Sequence, residues 1–448
     1  MEKKSGQARI VLSNPLIFAI SPVGLAWASF GLCLAAYLVP KDLYEFATNE
    51  PCLYCDSYGA LLFYFVCTLS FLAGNYFFEL LSPSKRWEGS CWRERSIYIS
   101  PIVIIALPLS IILLNMYSFV LLIGNTPDLI GNILSGHATI AKEALNSEGS
   151  LSNAQPLLIA VLPWAIFRYY QCRYYFSVHL KTFLIALLVF GTVESCIIAV
   201  AKVARYELIP LTLQIVAVIA YYKSSVSAMS LIRVIAIVSG FVVTLIVIFL
   251  ALSYLRGYDR LDLLLGNSLG YGPASFNHLQ AELDGQLKFP YGGTGVYTFS
   301  FLSFIPFFEP IFDIRDKLGL PDLVDAFLSE FNATDKAGLN GQYIWVTAYG
   351  YYFSDLGHLV YFYIFVLGAL TAYAWKSFLR GDSLGVVLYP FIGGTMAIGF
   401  SFNALVRPAL VTTVGLAFLI AAIEAMALQR SVGANFATRG GEGGRRQA

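Results

Sequence analysis

Three arginines stand at the edges of apolar stretches, where a charge is least expected. Arg256 and Arg260 follow one stretch directly, and Arg407 precedes another in Phe402-Asn-Ala-Leu-Val-Arg407-Pro408. A guanidinium grips two phosphate oxygens in one plane, so the three read as a clamp for a phosphate. The plainer reading is an anchor whose head snorkels to lipid headgroups. The apolar surroundings of Arg407 favour function, because charge at membrane depth is costly. His278 and Glu282 lie four residues apart. On a helix they share a face and can form a hydrogen-bonded acid–base pair, or simply an ordinary polar face. Asp355 and His358, three apart at the mouth of an apolar run, carry the same two readings. Gly292-Gly293-Thr294-Gly295 is either a backbone nest for an anion or a plain turn.

The elements that must position these groups are membrane helices. Of 448 residues, 57% are hydrophobic and 13% charged. Soluble chains carry about 25% charged residues, and so few charges could not cover the surfaces of several soluble cores. The 29 basic and 28 acidic residues give a net charge of +1, which leaves no excess to neutralise nucleic acid. The composition predicts an all-α polytopic membrane protein. A bilayer core needs about 20 apolar residues per helix. Ten stretches qualify or nearly so, near 16–39, 58–82, 97–124, 154–171, 182–201, 208–222, 232–254, 357–375, 384–401 and 408–428.

Eighteen Lys/Arg fall on the short segments of one side and five on those of the other. The positive-inside rule then places both termini in the cytoplasm and the long segment 255–356 outside. The layout is residues 1–254 with helices one to seven, the loop 255–356, residues 357–428 with helices eight to ten, and a disordered cytoplasmic tail, 429–448. Val296–Phe312 and Tyr343–Phe353 raise the count to twelve if both cross; a re-entrant or interfacial pair fits the acidic segment between them better. Glu79, Glu194 and Glu424 sit near span ends and read as interfacial. Cys52 and Cys55 form a CxxC in an external loop, open to a local disulfide in an oxidising compartment.

No Walker A, HExxH or GxSxG pattern occurs. Asp313, Asp316, Asp322, Asp325, Glu330 and Asp335 lack a compact ligand motif and read as a solvated acidic face, so no metal is expected.

Gly272-Pro-Ala-Ser-Phe276, Gly292-Gly-Thr-Gly-Val-Tyr-Thr-Phe299, Gly341-Gln-Tyr-Ile-Trp-Val-Thr-Ala-Tyr349 and Tyr352-Phe-Ser-Asp355-Leu-Gly357 together resemble the bacterial oligosaccharide repeat-unit polymerases, the Wzy or O-antigen polymerase family. Asn14-Pro15-Leu and Pro22 are similar too. The likeness covers most of the chain in layout and about 60 residues in motif. An Arg-x10-Gly pattern described for such loops is absent: the glycine positions hold Asn267, Tyr271 and Ala326. The resemblance implies an inner-membrane glycosyltransferase that needs no metal or cofactor. It would move a growing glycan from undecaprenyl diphosphate onto the next lipid-linked repeat unit on the periplasmic side. Its expected partners are that lipid-linked glycan, membrane lipid and a chain-length regulator protein. Arg256, Arg260 and Arg407 would hold the diphosphate. His278, Glu282, Asp355 and His358 are the candidates for the base that takes the acceptor proton. Tyr343, Trp345 and Tyr349 could stack on sugar rings. A ligase-type glycan transferase and a lipid-linked oligosaccharide flippase are the alternatives. The flippase is disfavoured because no repeated halves are visible and the charges gather in one loop.

Overall fold

A computed structural model describes residues 15–82, 101–125, 155–201, 205–226, 261–305, 311–401 and 403–443 apart from 312, 318 and 322, with isolated helical positions between 232 and 254. Arg256 and Arg260 lie outside the described residues. Every described element is helical or a turn.

In chain order the helices used below are α1 Pro22–Tyr37, α2 Lys41–Thr48, α3 Leu53–Asp56, α4 Gly59–Leu81, α5 Pro101–Asn125, α6 Gln155–Cys172, α7 Val178–Ala201 and α8 Arg205–Val226. Then come α9 Leu261–Gly270, α10 Pro273–Leu283, α11 Val296–Phe299, α12 Leu323–Lys336, α13 Ala348–Leu356, α14 Val360–Arg380, α15 Ser383–Ile398 and α16 Pro408–Gly443. Among the described residues, 5 helical stretches are long and apolar enough to cross a membrane: Gly59–Leu81, Pro101–Leu121, Val178–Ile198, Ala348–Arg380 and Pro408–Met426. A sixth is available if α1 and α2, bent by 93° at their junction, form one broken span. The chain is thus an all-α protein with several apolar helices of membrane-crossing length. Helices also occupy the expected stretches at α6, α8 and α15, but Leu211–Tyr222 and Ser383–Ile398 are short. The last helix continues into the Gly- and Arg-rich tail as far as Gly443.

Two apolar clusters divide the interior. One gathers α5, α7, α8, α15, α16 and the C-terminal part of α14 around α6, whose residues Leu158–Arg168 are all buried. A helix covered on all sides needs no polar face, which is why its apolar pattern shows little periodicity. The other joins α1, α4 and α14 to α10, α11 and α13. Helices α4 and α14 touch backbone to backbone: a Cβ on Gly74 would stand 1.8 Å from the Phe365 carbonyl oxygen, and one on Gly368 2.1 Å from that of Phe71. Only glycine permits this approach.

One reading is corrected here. Glu424 is buried in the first cluster, not interfacial. It accepts from Arg168 Nε (2.9 Å) and Nη2 (2.7 Å) and from Trp164 Nε1 (2.8 Å), with Ser383 on its second oxygen. Arg168, counted among the basic residues flanking a span, is its fully buried partner. Glu194 is likewise buried, within α7, whereas Glu79 is exposed. The Val296–Phe312 run does not form one spanning helix. Four residues of α-helix pass into a 3-10 turn, Ser300–Phe304, and the chain is extended at Ile305.

Candidate functional site

Helix α10 organises the segment between α8 and α14. Pro273 at its first turn fixes the helical φ in advance, and every residue from Ala274 to Glu282 is buried. Its polar residues therefore point into protein, and each needs a partner. Asn277 accepts from the Leu53 amide (2.7 Å) and donates to Glu50 Oε1 (3.0 Å) and the Pro51 carbonyl (2.9 Å). His278 Nε2 meets Glu50 Oε2 at 3.0 Å, with both side chains fully buried. Gln280 accepts from the Ala60 amide at 2.7 Å, satisfying an orphan donor at the start of α4.

Glu50 itself receives Tyr44 Oη and Asn277 on Oε1, and His278 and the Asn340 amide (3.0 Å) on Oε2. Burial works to raise its carboxyl. The His278 charge and the donated hydrogen bonds outweigh that and leave it below the usual carboxylate range. Cys52 and Cys55 are joined in a disulfide that closes the adjoining turn.

One turn further along α10, Glu282 enters a second centre. Ser354 of α13 donates to its Oε1, and Oε2 is buried without a partner. Burial pushes its carboxyl up to about 8; the Ser354 hydroxyl pulls down and the Asp355 charge pushes up. Asp355 accepts the Gly295 amide at 3.1 Å. Gly293 and Gly295 take φ of +82° and +87°, so the glycine cluster is a turn whose amide serves the chain's own carboxylate. Tyr297 lies beside Tyr351, ring centres 5.4 Å apart, and its hydroxyl is buried with no partner. Burial and then the charges of Glu330, Asp355 and Glu282 raise that phenol. Glu330 on α12 accepts from Tyr351 Oη at 3.0 Å. Burial lifts its carboxyl to about 8, against the Tyr351 hydrogen bond and the Arg407 charge. Arg407 is half-buried, and its Nε has no hydrogen-bond partner. Asn403 holds the Arg407 loop in place, donating to the Tyr297 carbonyl at 2.8 Å and accepting from Tyr352 at 3.0 Å.

The expected residues thus separate. Glu282, Asp355, Ser354 and Tyr297 gather in one buried polar cluster, a chamber of side chains that Tyr351 extends to Glu330, where the Arg407 charge is felt. His278 shares the helix with Glu282 but is bonded to Glu50, not to it. His358 is exposed, edge-on to Phe353 at 6.1 Å. Tyr349 packs inside against Tyr64, ring centres 4.7 Å apart. Trp345 is half-buried against Tyr271 at 4.6 Å, and Tyr343 rests on Gly270 of α9. Glu330 is corrected: it is 4% exposed, not part of a solvated acidic face. Among the described residues no group of three His, Cys, Asp or Glu is placed to hold a metal ion. Tyr297 and Glu50 give no such signal in the sequence. Tyr297 sits in an apolar run, and Glu50 is a lone acid beside a proline.

The chamber combines two buried carboxyls that hold protons at neutral pH, a carboxylate seated on a glycine turn, and a cation with a free donor. That set can transfer a proton at one end and steady an anion at the other. No family model, curated protein or solved structure matches the chain.

Proposed function

We propose that the chain is a polymerase of lipid-diphosphate-linked oligosaccharide repeat units. The observation that carries the reading is the grouping of Glu282, Asp355, Tyr297 and Glu330 near Arg407, with four orphaned polar atoms among them: Glu282 Oε2, Asp355 Oδ2, the Tyr297 hydroxyl and Arg407 Nε. Native interiors satisfy such groups, so their clustering marks a place for a polar ligand.

The acceptor sugar hydroxyl attacks the anomeric carbon of the growing glycan. The bond from that carbon to the diphosphate breaks, and the lipid diphosphate leaves. Arg407, with Arg256 and Arg260, steadies its charge without a metal. Glu282, entering as the carboxylate, takes the hydroxyl proton. A base titrating near the working pH balances availability against strength. The Cys52–Cys55 disulfide suits an oxidising compartment and hence a periplasmic site. The Lys/Arg asymmetry supports ten spans with both termini cytoplasmic. Reporter fusions after Gly285 and at the C-terminus should then report opposite sides; matching sides would exclude this topology.

The functional test is glycan length. Cells lacking the chain should carry single repeat units where wild-type cells carry a ladder, and Glu282→Gln should not restore it. With native lipid-linked repeats and purified protein, transfer should rise as the pH climbs through about 8 and level off above, because Glu282 is protonated below that point. Glu282→Gln should lower the rate about 100- to 10,000-fold and abolish the rise. A wild-type pH profile in that variant would remove Glu282 as the base.

A further inference from the structure

Glu50 lies outside the chamber, yet its two oxygens collect donors from three separate parts of the chain. Tyr44 comes from α2, Asn277 and His278 from α10, and the Asn340 amide from the segment leading to α13. Asn340 Nδ2 also reaches back to the Thr48 carbonyl at 2.7 Å, and the Leu53 amide beside the disulfide donates to Asn277. Glu282 follows His278 by one helical turn on the same rigid helix. Opposite it, α13 approaches so closely that a Cβ on Gly350 would stand 3.0 Å from Glu282 Oε2. A displacement of α10 along or about its axis therefore moves Glu282 directly against Ser354.

We propose, resting on the chamber as the reacting site, that Glu50 is a positioning residue: it locks α10 so that Glu282 meets Ser354. The groups facing Glu50 are Tyr44 and Tyr54, His278 on α10 and the Asn340 amide; those facing Glu282 are Ser354, Asp355 and Tyr297. Glutamine at position 50 has one acceptor in place of two. It cannot receive both Asn277 with Tyr44 on one side and His278 with the Asn340 amide on the other. The Ser354 hydroxyl stabilises the charged form of Glu282, so loosening that contact disfavours ionisation and moves the titration upward.

The test is an infrared difference titration of the purified full chain in detergent. The Glu282 carboxyl band is assigned by its loss in Glu282→Gln. Its midpoint is compared between wild type and Glu50→Gln, with thermal unfolding recorded alongside. The expected result is a midpoint moved upward by roughly half a unit or more in Glu50→Gln. Transfer of native lipid-linked repeats should fall, mostly in kcat. Where Glu50→Gln does not fold, Glu50→Asp serves: it keeps the charge facing His278 but is one methylene too short to reach every donor. An unmoved Glu282 midpoint in the folded variant, whatever its melting temperature, overturns the proposal. Unchanged transfer by Glu282→Gln would instead overturn the reading of the chamber, while the titration still decides the role of Glu50.

Discussion

Arg407→Lys is expected to shorten glycan ladders almost as severely as Arg407→Ala, although lysine keeps the charge. The orphaned Nε and the two terminal nitrogens of Arg407 present donors in one plane, matched to two oxygens of a phosphate. An ammonium at the same depth is a point charge and is more strongly hydrated. It would be drawn towards the buried Glu330, whose titration already registers the Arg407 charge. Loss of one charge-assisted contact to the leaving group in a partly dry site costs on the order of 2–4 kcal/mol of barrier, about 30- to 1000-fold in rate. The measurement is ladder length in cells carrying each variant at equal membrane abundance. A headgroup anchor behaves differently, because lysine then substitutes with little effect. Wild-type ladders from both Arg407→Lys and Arg407→Ala would return Arg407 to that role.

Arg407 stands out in the sequence because a lone cation in an apolar setting is costly and therefore informative. The helix carrying His278 and Glu282 is legible for a local reason too: a proline at its start and a spacing of four. Their partners are not legible. Glu50 lies 228 residues from His278, and Ser354 lies 72 from Glu282. Nothing in a helical period says which tertiary neighbour a polar side chain will find. One face therefore serves two centres, with His278 turned to a structural carboxylate and Glu282 to the chamber. Glu330 is hidden by its company. Five acidic neighbours make the stretch look solvated, yet α12 is amphipathic, and Glu330 with Thr334 falls on its buried side. Composition recovers the helical class and most helix positions. Among the described residues fewer helices than the expected stretches meet a length-and-apolarity test for crossing: Leu211–Tyr222 and Ser383–Ile398 are short, and α6 carries Gln155, Arg168 and Gln171 within its 18 residues.

The same limit applies to Glu424, whose place near a helix end suggests the interface. Its burial beside Arg168 leads to the largest expected loss of stability in the molecule. Glu424→Ala should destabilise the protein by roughly 3–5 kcal/mol, because it leaves a guanidinium without its counter-charge in a dry bundle. Arg168 is 0% exposed and Glu424 3%. Arg168 would keep only Gln171 (2.7 Å) and Ser383 (3.2 Å) as acceptors, and Trp164 would lose its own. Glu424→Gln should be nearly as damaging, since its amide nitrogen would turn a donor towards the guanidinium. Replacing both partners, with Arg168→Met and Glu424→Leu, removes both desolvation costs and fills the space; much of the lost stability should return. Thermal or denaturant unfolding of the purified protein in one detergent compares these variants with wild type without reference to activity. A single Glu424→Ala variant within about 1 kcal/mol of wild type would mean that the pair is solvated and the bundle open at α6 and α16.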